Sequence, residues 1–168
     1  MKIKYTFTLA FIFILLINTT AYSQNKRLMY EGMRQGVSWK VYLLNKKLAK
    51  QINIAGKTRK LYLADLEIHN SDSGIKRKTH LVQCSTEQPF VAFKDNNSTG
   101  TVILHHINPG GEWFGYNRES HQEYWIICHN LWKPFDYDLQ AKAKQYGYSP
   151  QLRGYQSIIP YGVMNNIK

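Results

Sequence analysis

After its first two dozen residues the chain is built from short apolar runs that alternate with polar residues and are separated by turn formers. In GVSWKVYLLN, Val37, Trp39, Val41 and Leu43 recur at every second position, with Ser38, Lys40 and Tyr42 between them. A period of two is what a half-buried strand requires, because successive side chains leave opposite faces. KLYLADLEI repeats the pattern through Tyr62, Ala64, Leu66 and Ile68. The intervening NKKLAKQINIAG fits two readings. Leu44, Leu48 and Ile52 have helical spacing, while INIAGKTRK reads as a turn between strands.

The next runs are rich in β-formers. HLVQCS passes through Thr86, Glu87, Gln88 and Pro89 into FVAFK, and Asp95 to Gly100 turns the chain into TVILHHI. Asn108-Pro109-Gly110-Gly111 closes that strand, and EYWIICHN is expected to form another. One helix is expected near the end: Asp136 caps it, Leu139, Ala143 and Tyr146 share a face, and Gly147 terminates it. SIIPYGVM reads as a last edge strand interrupted by Pro160. The expected fold is therefore mainly β, as an antiparallel sheet, sandwich or small barrel, with one short C-terminal helix.

The ends set the compartment. Lys2 and Lys4 precede an almost wholly apolar stretch from Tyr5 to Ile17, and Ala21-Tyr22-Ser23 supplies small residues before a cleavage site. Residues 1–23 thus read as a secretory signal peptide, too short in its apolar part for a membrane-spanning helix. Residues 24–168 read as one secreted or periplasmic domain without a later transmembrane segment. Between Gln24 and Lys78 stand 13 Lys or Arg against 4 Asp or Glu, whereas Thr79 to Asp136 carries 3 against 6. This basic first half would attract an anionic surface or acidic partner. No nucleic-acid-binding motif accompanies it, so no specific nucleic acid is expected.

The only cysteines are Cys84 and Cys128. In an oxidising compartment two thiols of one small domain pair, and closing this loop stabilises the fold by about 4 kcal/mol in the chain-entropy model. The adjacency of Cys128 and His129 suggests a thiol nucleophile with its base. On a strand, neighbouring side chains point apart, so the expectation is a structural disulfide.

The most chemically loaded stretch is HHINPGGEWFGYNRESHQEYW. No HExxH or comparable spacing occurs in it, and neither a metal nor a cofactor is called for. Trp113, Phe114, Tyr116 and Arg118 form a glycine-flanked aromatic loop suited to anchoring a partner, unless the rings fold back as a lid over the core. The leading expectation is a non-catalytic binding protein that recognises a secreted or envelope protein, or an anionic envelope polymer, through this loop and its basic face. The alternative is a small secreted hydrolase or lyase using His106, Glu112 and His121. A pocket with convergent His and Glu groups would favour the enzyme, and a convex aromatic surface the binder.

Overall fold

The computed structural model describes residues 26–95, 98, 100–113 and 117–162. Residues 1–25 with the expected signal peptide, Asn96, Asn97 and Thr99 of the expected surface turn, Phe114 and Tyr116 of the aromatic loop, and residues 163–168 lie outside the described residues. Seven strands form one antiparallel sheet whose spatial order is the chain order: β1 (Arg27–Arg34), β2 (Val37–Ile54), β3 (Lys57–Asn70), β4 (Gly74–Cys84), β5 (Phe90–Lys94), β6 (Thr101–His106) and β7 (Tyr155–Pro160). Two helices, α1 (Asn117–His129) and α2 (Leu139–Gln145), lie between β6 and β7.

The ambiguous segment is strand throughout. Ala55 and Gly56 have φ of 49° and 76°, two consecutive left-handed residues that make a tight hairpin turn with the twist β2 and β3 need. The helical spacing of Leu44, Leu48 and Ile52 dissolves at two irregularities in register, between Leu43 and Asn45 and between Leu48 and Lys50. Each inserts one extra residue and shifts the faces that follow.

β2 and β3 outrun their neighbours. Pairing with β1 ends at Leu43, and pairing of β3 with β4 ends at Lys60 against Cys84. Only Ile52 to Ile54 against Lys57 to Arg59, with the turn between them, is a two-stranded tip beyond both neighbours; from Asn45 to Gln51 β2 is an edge strand backed by β3 and β4, and no described residue pairs with its outer side.

EYWIICHN is helix, not strand: it forms the last two turns of α1. Tyr124, Trp125, Ile126 and Ile127 are all buried, and Trp125 is 0% exposed. A helix apolar almost all round is one enclosed on several sides, and over so few residues its periodicity does not differ from that of a buried strand. Here α1 shares one core with Ala64, Leu66, Val82 and Val91 of the sheet and with Leu139, Ala143 and Tyr148 from the segment that follows it. Asn130, at φ 55°, ends the helix, and the amides of Asn130 and Leu131 satisfy the carbonyls of Ile126 and Trp125.

Cys84, the last residue of β4, is bonded to Cys128 of α1 across a Cα–Cα distance of 5.4 Å. The disulfide therefore joins sheet to helix. It does not join two strands as the sequence pattern suggested. The second helix starts later than expected: Asp138 accepts the Ala141 amide at 3.0 Å, while Asp136 belongs to a short 3-10 turn at Pro134–Asp136. Leu139 and Ala143 are buried as predicted, Tyr146 is exposed, and Gly147 follows the helix at φ 77°. Pro160 ends β7.

Candidate functional site

Alternation along the central strands sends His80 of β4, Phe93 of β5 and His105 of β6 to the face that α1 covers. On the helix, Glu119, Ser120 and Glu123 recur at spacings of three and four and so face the same cleft. The cleft measures about 350 Å³ and is also lined by Tyr30, Trp39 and Lys78. His80 Nδ1 donates to both carboxylate oxygens of Glu123, at 2.9 and 3.0 Å, and Glu123 is only 2% exposed. His105 Nε2 donates to Gln156 Oε1 at 3.2 Å, leaving Nδ1 to accept from the Ser120 hydroxyl at 2.6 Å. Phe93 stands between the two imidazoles, 5.1 Å from each centroid.

The electrostatics follow from burial. Burial lowers His105, which Gln156 and the charge of Glu123 partly offset. Partial burial of its carboxyl, reinforced by the charge of Glu123, raises Glu119 above the ordinary carboxylate value, while Trp39 and Arg118 draw it back. Tyr30 is raised well above its usual value, first by burial and then by Glu123 and Glu119, so its hydroxyl stays neutral. The two imidazoles, the serine and Glu123 thus have partners within the fold. Their arrangement holds α1 on the sheet and has the ingredients of acid-base or nucleophilic chemistry.

The three residues of the enzyme alternative are not brought together. His106 points to the opposite sheet face, where it stacks on Tyr155 at 3.9 Å and meets Ser157 Oγ at 3.1 Å. His121 is buried at 1% exposure with no partner for its Nδ1 among the described residues, and Glu112 is exposed on the loop. The residues that do converge, His80, His105, Glu119, Ser120 and Glu123, come from three segments far apart in sequence. Only the period of β4 could have hinted at His80, because it falls on the same alternate positions as Val82. Glu119 and Glu123 are i,i+4 neighbours only once the segment is known to be helical.

Of the aromatic loop, Trp113 is half-buried against the main core and stacks on Phe135 at 4.0 Å. Arg118 lies beside the pair, 5.5 Å from the Trp113 centroid and 5.3 Å from that of Phe135. Trp113 thus packs as the lid alternative describes, with the Arg118 guanidinium flanking the stack.

The basic half concentrates on the β2–β3 arm. Lys46, Lys47, Lys50, Lys57, Arg59 and Lys60 fall within a stretch that contains no acidic residue. Lys46 donates to the Ile127 carbonyl near the C-terminus of α1 at 2.9 Å, where a cation meets the negative end of the helix. Lys57 and Arg59 share Glu87, at 2.6 and 2.9 Å. Lys47, Lys50 and Lys60 have no acidic partner among the described residues. A larger hollow of about 570 Å³ is floored by Leu63, Leu81, Ala92 and Val102 and rimmed by Arg77, Lys78, His80 and Lys94, with no carboxylate among its lining residues. Among the described residues no helix is long and apolar enough to cross a membrane, and no group of three or more His, Cys, Asp or Glu side chains is placed to hold a metal. Comparison with family models, with curated proteins and with solved structures finds no match.

Proposed function

We propose that this chain is an exported, non-catalytic binding protein that docks on an anionic macromolecular surface of the envelope through the β2–β3 arm. The observation that carries the reading is the outer edge of β2 and the base of the arm beside it, which present Lys47, Lys50 and Lys60 with no acidic partner among the described residues. A cluster of one sign is the geometry that attracts a polyanion. The Cys84–Cys128 disulfide fits an oxidising compartment. The stack of Trp113, Phe135 and Arg118 is a second contact surface, in which the guanidinium meets a carboxylate or phosphate of the partner. The test is retention on sulfated dextran. Lys47→Gln/Lys50→Gln/Lys60→Gln is expected to elute at clearly lower salt than the parent, while Lys76→Gln/Lys133→Gln/Lys144→Gln, with the same change in charge, elutes near it. Equal elution of the two triple variants would remove the arm from the reading.

One observation favours a second reading, a small hydrolase. The Ser120 hydroxyl lies 2.6 Å from His105 Nδ1 in the cleft that also holds His80 and Glu123, as a serine activated by a base requires. A fluorophosphonate probe that labels Ser120, with labelling lost in His105→Gln, would support it. An unlabelled protein leaves these groups in a structural role.

A further inference from the structure

Lysine on an unpaired strand edge has a simpler use, since it stops other chains from adding a strand. That use explains Lys47 and Lys50. It does not explain the isoleucines. Ile52 and Ile54 sit at the far end of the arm on one face, opposite Arg59 and Lys57 in register, and are 39% and 50% exposed. Leu48, on the other face, is 46% exposed. A projecting tip with branched apolar side chains in water is costly unless something covers it, and the cations set around it select what that is.

We infer that the arm tip enters the headgroup layer of an anionic lipid bilayer, with Ile52 and Ile54 reaching the acyl boundary and Lys47, Lys50 and Lys60 held at the lipid phosphates. The inference rests on the anionic-surface reading above and names its surface. A soluble polyanion would be served by the cations alone and gives the isoleucines no burial. A bilayer supplies both phases at one boundary, as it does for interfacial anchors that combine basic and branched apolar residues. The narrow two-stranded form suits this entry. The tip turn at Ala55 and Gly56 carries almost no side-chain bulk, and the arm's cations bear long apolar stems that cover the adjoining surface.

The test is co-sedimentation of the disulfide-intact chain, with the leader removed and every described residue retained, with vesicles of phosphatidylcholine containing about one third phosphatidylglycerol. Vesicles of phosphatidylcholine alone serve as the neutral arm. The parent is expected to bind the anionic vesicles and not the neutral ones. Ile52→Ser/Ile54→Ser keeps every charge. It should lose about 10- to 100-fold in vesicle partitioning while eluting from sulfated dextran at the parental salt. Because both positions are exposed, its denaturant midpoint should match the parent's, so lost binding is not lost folding. Insertion has its own signature: Ile54→Trp should show a blue-shifted emission component on anionic vesicles. Parental vesicle binding by the serine variant would overturn the inference and leave the anionic-surface reading intact, as would retention of the parent on sulfated dextran without vesicle binding. A parent that binds neither would overturn both.

Discussion

His121 is buried, and among the described residues none accepts or donates at its Nδ1. Trp125, one turn further along α1, likewise has an Nε1 with no partner among the described residues. Burial pushes His121 down to about 4, so the folded protein keeps it neutral through the range in which an unfolded histidine charges, near 6.5. Between those values the unfolded chain binds the proton that the folded chain refuses. Stability therefore rises as pH goes from about 4 to 6.5, then levels, by about 3 kcal/mol if the whole difference is realised. His129 is also lowered to about 4 by burial, but its partly exposed ring contributes less. Glu67 acts in a lower window and for the opposite reason. Hydrogen bonds from His69, then Lys26 and Arg77, hold its carboxylate at about 2, so what it contributes is lost only as pH falls below the ordinary value of 4.5. Urea unfolding at pH 4.5 to 7.5 should show the histidine slope, and His121→Gln should flatten it. A slope untouched by that substitution would assign the acid sensitivity to another group.

At the level of elements, the sheet was legible because its evidence is local. Trp39, Val41, Leu66, Ile68 and Val82 declare their faces by alternation, and all of them pack where the period of two sends them. Pro160 at an edge and Gly147 after α2 were readable for the same reason. What sequence did not disclose is the identity of α1. Tyr124-Trp125-Ile126-Ile127 has strand propensity, and only enclosure by β3, β4, β5 and the segment after the helix makes a helix the better solution. That error carried into the site. Once the stretch is helical, Ser120 and Glu123 swing onto the histidines of β4 and β6, and Cys128 faces the end of β4. The separation of Cys128 from His129 survives on other grounds, because the cysteine is consumed in the disulfide while His129 Nε2 meets the Tyr148 hydroxyl at 2.6 Å. The arm was half legible. Its charge is plain in the sequence, but its projection depends on where β1 and β4 stop pairing, which is a property of the whole sheet.

At the level of the molecule, three features meet at one joint. Lys60 pairs in register with Cys84, Cys84 is bonded to Cys128, and Lys46 holds the carbonyl of Ile127 beside it. The base of the arm, the end of β4 and the last turn of α1 are thus fixed to one another. The sheet does not rest on this joint alone. Its far face has a separate apolar cluster of Leu61, Leu81, Phe90, Ala92, Val102 and Leu104 that α1 does not join. The disulfide spans a separation of 44 residues, so opening it should act mainly through the freedom returned to the unfolded chain, a loss of about 4 kcal/mol at most. The expected result for Cys84→Ser/Cys128→Ser is a far-ultraviolet circular dichroism spectrum close to the parent's, with a denaturant midpoint lowered by the equivalent of about 2–4 kcal/mol. Reduction of the parent should reproduce both results. An unchanged midpoint would mean that the contacts of α1 with the sheet suffice without the covalent bond, and a lost spectrum would mean that the far-face cluster does not hold the sheet on its own.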